Sequence, residues 1–86
     1  KVNGVEYPSL KQMNIYPNPT ADLVHIKSNR NDQSTIFEIH DSAGRLIFRT
    51  SETKLILSKN DFGKGIYFVT SIDKDLNKEV QKLVFY

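Results

Sequence analysis

The sequence predicts an all-β chain, folded as an antiparallel sandwich or barrel, and three observations carry that expectation. Short apolar runs begin roughly ten residues apart from Met13 onward. Within the runs apolar and polar residues alternate with a period of two, and β-branched and aromatic residues dominate. The intervening segments are rich in Pro, Gly, Asn, Asp and Ser, the residues of turns. No window carries a helical apolar stripe longer than about two turns.

The expected strands are 13–16, 23–28, 35–40, 45–50, 54–58, 65–73 and 78–86. In the second, Val24 and Ile26 face away from His25 and Lys27; in the third, Phe37 and Ile39 oppose Glu38 and His40. In the fourth, Leu46 and Phe48 oppose Arg45, Ile47 and Arg49. In the fifth, Leu55 and Leu57 oppose Lys54 and Ser58. The sixth sets Ile66, Phe68, Thr70 and Ile72 against Tyr67, Val69 and Ser71. The seventh sets Val80, Lys82 and Val84 against Gln81, Leu83 and Phe85. Phe37, Phe48 and Phe68 are expected in the core. Tyr67, on the other parity, is expected to be partly exposed or to cover the proline corner.

The connections have their own chemistry. Pro17-Asn18-Pro19-Thr20 cannot continue a central strand, because proline has no N–H to give a ladder. It reads as a rigid corner. Asp41-Ser42-Ala43-Gly44 reads as a hairpin turn, Asp41 accepting backbone N–H bonds and Gly44 supplying a positive φ. Ser58 is placed to cap one helical turn before Gly63 and Gly65 restart the chain as strand. Residues 29–33 and 73–77 read as polar loops. Residues 1–12 read as a connector from an upstream region, and 13–86 as one domain.

Composition bounds the function. Eighty-six residues make a single domain, and a chain of this size hides little more than ~60% of its unfolded surface. Twelve basic and ten acidic residues leave a net charge of +2, too small and too scattered to suggest nucleic acid or an anionic membrane as partner. With no cysteine there is no disulfide, thiol nucleophile or thiolate zinc site. No apolar run approaches the ~18 residues of a membrane helix.

Candidate chemistry is sparse. The two histidines, His25 and His40, fall on the polar faces of their strands; a metal site would need them adjacent in the fold and joined by a carboxylate, and exposed strand histidines are the expectation. Asp73, Asp75 and Asn77 match the opening of a calcium loop, but Lys78 and Val84 stand where its glycine and glutamate belong, so a solvated hairpin tip is the expectation. Ser42 has no nucleophile context, and Gly63-Lys64-Gly65 is too short for a phosphate loop. Tyr16, Tyr67 and Tyr86 form a conceivable carbohydrate platform that nothing in their spacing requires. No catalytic constellation, cofactor motif or metal site is expected.

Taken together and in order, several segments resemble one family. Asn14-Ile15-Tyr16-Pro17-Asn18-Pro19-Thr20, Ile39-His40-Asp41-Ser42-Ala43-Gly44-Arg45-Leu46, Lys64-Gly65-Ile66-Tyr67-Phe68-Val69 and Lys82-Leu83-Val84 are similar to the motifs of the type A C-terminal sorting domain of the bacterial type IX secretion system. The resemblance covers residues 13–86. It implies an all-β, Ig-like antiparallel sandwich of about seven strands, without catalytic activity, attached to the C-terminus of an exported cargo. It further implies recognition by the type IX machinery of Bacteroidota, passage across the outer membrane, and removal by a surface sortase within or just before residues 1–12.

The residues carried over by the resemblance are Pro17, Asn18 and Pro19 of the leading motif; Asp41, Gly44 and Arg45 of the central one; Gly65 and Tyr67; and Lys82, Leu83 and Val84 of the terminal strand. Arg45 has no structural requirement readable in the sequence. Lys82, between Val80 and Val84, either snorkels at a sheet edge or is offered to a partner, and the resemblance favours the partner. The terminal strand is expected to present a free edge to a receptor sheet. The alternative is an Ig- or fibronectin-like spacer or carbohydrate-binding module of a surface enzyme or adhesin, because one fold hosts many functions. A sorting signal must end the polypeptide, whereas a spacer need not.

Overall fold

A computed structural model describes residues 12–29 and 35–86. The connector reading of residues 1–11 and most of the polar loop expected at 29–33 lie outside the described residues. Seven strands and one helical turn follow in chain order: β1 (Met13–Tyr16), β2 (Leu23–Ser28), β3 (Ile36–Asp41), β4 (Leu46–Thr50), β5 (Lys54–Ser58), α1 (Lys59–Phe62), β6 (Gly65–Ile72) and β7 (Lys78–Phe85). Each lies within a residue or so of its sequence expectation. Ser58 caps α1 as expected, its Oγ accepting from Asn60 N at 3.0 Å.

The strands form two antiparallel sheets, ordered β1-β2-β5 and β4-β3-β6-β7. One apolar face of each meets the other. The three-stranded sheet contributes Met13, Val24, Ile26, Leu55 and Leu57; the four-stranded sheet contributes Phe37, Ile39, Tyr67, Val69, Leu83 and Phe85. The alternation that predicted strands therefore also places the core, because a period-2 segment must turn its apolar set to one side.

Two core expectations are overturned. In β6 the inward residues are Tyr67 and Val69, and Phe68 is 37% exposed. Both parities of β6 are apolar, so hydropathy does not choose between them. The register does: β3 turns Phe37 and Ile39 inward, and Ile39 stands opposite Val69. In β4, Phe48 also lies at the surface, along with Leu46 and Ile47. This strand is the edge of its sheet, and a register shift between Ile39 and His40 breaks its alternation. Phe48 instead meets Phe62 edge-on at a ring separation of 6.3 Å.

Candidate functional site

The proline corner and the terminal strand, more than sixty residues apart in sequence, are joined in the fold. The Asn18 side chain acts as a spare peptide unit beside β7. Its Nδ2 donates to Lys82 O at 2.6 Å, and its Oδ1 accepts from Val84 N at 3.1 Å. Thr20 continues the same edge as a short parallel bridge, its N donating to Val84 O and its O accepting from Tyr86 N, both at 3.0 Å. The peptides preceding Pro17 and Pro19 are both cis. Neither proline has an N–H, so the amide of Asn18 and the backbone of Thr20 serve the partner strand.

The expected free edge of β7 is thus corrected over its last turn of sequence. Lys82 O, Val84 N, Val84 O and Tyr86 N, which an incoming strand would need, are already paired within the chain. The earlier part of β7 is tied to β1 by side chains. Glu79 Oε1 accepts from Gln12 N at 2.8 Å and from Met13 N at 3.2 Å, and Gln81 Nε2 donates to Met13 O at 3.0 Å. One side of the sandwich is laced along its length.

The G-x-Y segment lies directly against this place, with Gly65 opposite Phe85 and Tyr67 opposite Leu83. Gly65 has φ +148, a backbone state in which a β-carbon is strained. Tyr67 is 7% exposed, which overturns the first of its two expected placements, partial exposure rather than cover for the proline corner. Its ring meets Phe62 and Phe85 edge-on. Its hydroxyl lies 2.5 Å from Phe62 O and 2.9 Å from Gly63 O, one proton serving both carbonyls at the end of α1. A tyrosine serves here better than a phenylalanine, because the helical turn ends beside the core and its hydroxyl satisfies those acceptors.

The central motif is a self-contained turn. Asp41 Oδ1 accepts from Ala43 N and Arg45 N at 3.0 and 2.9 Å, and Gly44 takes φ +87. Arg45 Nε donates to Asp41 Oδ2 at 2.8 Å while most of the arginine side chain stays in solvent. This gives Arg45 the structural role that its sequence context did not reveal. Asp41 also stands opposite Tyr67 across β3 and β6, so register brings three of the four motifs abreast as Asp41, Tyr67 and Leu83.

The carboxyl of Asp41 is held below the ordinary carboxylate range, chiefly by the Arg45 N–H, then by the Arg45 side chain and the Ala43 N–H, against some loss of solvent contact. Because the folded value is the depressed one, the turn's contribution is complete above the unfolded value of about 3.9 and is lost as pH falls through the folded value. Carbon-detected NMR is expected to give a lower midpoint for Asp41 in the folded chain than in urea; equal midpoints would contradict this geometry.

Lys82 projects from the outer face of the four-stranded sheet, exposed, in a cross-strand row with Phe68 and His40. It has no ion-pair partner among the described residues. Its neighbour Leu83 is fully buried and Val84 half-buried. The terminal motif therefore combines one presented cation with core-forming and edge-forming residues.

The other candidate chemistries separate in space. His25 and His40 belong to different sheets and both face outward, and no cluster of three or more metal-binding side chains occurs among the described residues. The Asp73 carboxylate accepts from Asp75 N, Asn77 N and Asn77 Nδ2, closing its own loop. Burial of Tyr67 removes the conceivable but unrequired tyrosine platform, leaving Tyr16 and Tyr86 exposed. The sequence reading missed Thr20, Glu79 and Gln81 as edge residues. The one available signal was an amide side chain held between two prolines in Pro17-Asn18-Pro19.

Two facing antiparallel sheets of this kind define an immunoglobulin-like β-sandwich, and solved structures agree. A DUF3244-family protein of Bacteroides vulgatus with that fold superposes with a TM-score of 0.68 over 87% of this chain and 85% of its own, at 12% identity. Residues 14–86 match the secretion system C-terminal sorting domain family, and the chain belongs to that family, the sorting signals of the type IX system. It is also 32% identical over 73 residues, 81% of its length, to an endo-acting ulvan lyase of Formosa agariphila. The chain spans 14% of that enzyme's length. As a sorting signal the domain directs its polypeptide across the outer membrane, for display at the cell surface or secretion.

Proposed function

We propose that the signal is read at the end of the sandwich where its motifs converge, with Lys82 as the contact residue and Pro17, Asn18, Pro19, Gly65, Tyr67, Leu83 and Val84 as the frame that presents it. Asp41, Gly44 and Arg45 shape the neighbouring turn. The observation that carries this reading is the contrast within the terminal motif: Leu83 is packed in the core, whereas Lys82, one residue earlier, is exposed and without an ion-pair partner among the described residues. Phe68 beside it adds apolar surface of the kind that marks a partner site. The domain performs no reaction itself. Its cargo is attached upstream, and a surface sortase of the type IX system separates the two within or just before residues 1–12.

The test is a fusion of residues 1–86 to a periplasmic reporter in a type IX-competent bacterium. The unaltered fusion is expected at the surface or in the medium. Lys82→Glu is expected to hold the reporter in the periplasm while the isolated domain keeps its thermal midpoint. Normal delivery of the Lys82→Glu fusion would remove Lys82 from the recognised surface.

A further inference from the structure

The outer face of the three-stranded sheet carries a feature that neither the core nor the proposed recognition surface at Lys82 accounts for. Its register sets Tyr16, His25 and Ile56 in one row across β1, β2 and β5, and Asn14, Lys27 and Lys54 in the next. Rows on one face are ~7 Å apart along a strand. Tyr16 and His25 stack with ring centres 5.3 Å apart and planes 12° from parallel. Tyr16 is 50% exposed and Ile56 63%. The row is thus an aromatic and aliphatic surface open to solvent at Tyr16 and Ile56.

Beside it, Lys27 and Lys54 stand directly opposite one another on paired strands. Like charges in that arrangement oppose sheet formation. Both are exposed, and neither has an ion-pair partner among the described residues. Glu52 is the one carboxylate lining the adjoining groove, and it lies beyond ion-pair distance of either lysine. The groove is open, about 510 Å³, and runs past Tyr16, His25, Lys27, Lys54 and Ile56, a size suited to a small ligand or one or two units of a polymer.

We propose that this face binds an anionic polysaccharide, with successive sugar units along the Tyr16–His25–Ile56 row and a carboxylate or sulfate between Lys27 and Lys54. The two rows set the ligand chemistry. An oxyanion alone accounts for the lysine pair but not for the aromatic and aliphatic row, and a neutral sugar accounts for that row but leaves two opposed cations. One acidic sugar unit supplies an apolar C–H face and an oxyanion a few ångströms apart, and the flexible lysine stems cover the rest of the ~7 Å between the rows. Bound there, the anion converts the repulsion between the lysines into two charge-assisted contacts. The site lies on the opposite sheet from Lys82, so it is independent of the proposed recognition surface.

The experiment is NMR titration of the 86-residue chain with four probes: a hyaluronan oligomer (carboxylate only), a dextran sulfate oligomer (sulfate only), uncharged dextran and polyglutamate. Saturable shifts confined to Tyr16, His25, Lys27, Lys54 and Ile56 are expected with an anionic sugar and not with dextran, and the responding oligomer identifies the oxyanion. Lys27→Gln with Lys54→Gln is expected to weaken binding at least tenfold while leaving the thermal midpoint equal or higher, because the opposition is relieved. Tyr16→Ala is expected to weaken sugar binding several-fold. Equal binding of polyglutamate with no effect of Tyr16→Ala would replace the sugar by an acidic protein surface and overturn the proposal. Absence of shifts on this face would overturn it outright.

Discussion

Phe85→Ala is expected to remove a third or more of the domain's stability. The ring is 1% exposed, stacks on Phe62 and meets Tyr67 edge-on, and so joins α1, β6 and β7 across the core. Truncating a buried phenylalanine to alanine costs about 3–5 kcal/mol, combining lost burial with the cavity left behind. A domain of this size holds only about 5–10 kcal/mol in total. Urea unfolding followed by circular dichroism should show the midpoint falling by about a third or more. A midpoint within about a tenth of the unaltered one would mean that Phe85 is not a core residue. The same packing changes how a tail deletion is read. Removing residues 82–86 takes away Leu83 and Phe85 together with the groups that pair with Asn18 and Thr20. Loss of export on that deletion would report loss of the fold, whereas Lys82→Glu alters the surface and leaves the core intact.

Tyr67→Phe is expected to cost about 1–3 kcal/mol although it deletes a single oxygen. The ring contacts with Phe62 and Phe85 survive, so the loss isolates the hydroxyl that serves Phe62 O and Gly63 O. With a urea slope near 1 kcal/mol/M for so small a domain, the midpoint should fall by about 1 M or more at constant slope. An unchanged midpoint would show that water satisfies those carbonyls equally well.

These two residues also mark where the sequence was legible and where it was not. Strand positions followed from the period-2 pattern, and the turn at Asp41 and Gly44 from residue chemistry, because both signals are local. The facing of β6 was not legible, because Ile66, Phe68 and Ile72 on one side and Tyr67 and Val69 on the other are similarly apolar. Cross-strand register against Ile39 and Leu83 decides it. Edge strand β4 shows the same limit, since its alternation is interrupted by a register shift that only its pairing with β3 reveals. At the site, the motifs were readable as motifs, but their convergence was not. Asn18 meets Lys82 and Val84 through an amide whose partners are backbone atoms, and backbone atoms leave no trace in a sequence.

The lacing of the corner to β7 has a consequence for synthesis. The ribosome makes the Pro17–Thr20 segment early and its partners more than sixty residues later. Until residues 83–86 have emerged, Asn18 and Thr20 lack their partners and the core lacks Leu83 and Phe85. A polypeptide interrupted anywhere before that point carries no closed sandwich. Closure of the sandwich thereby waits on synthesis of its own final strand.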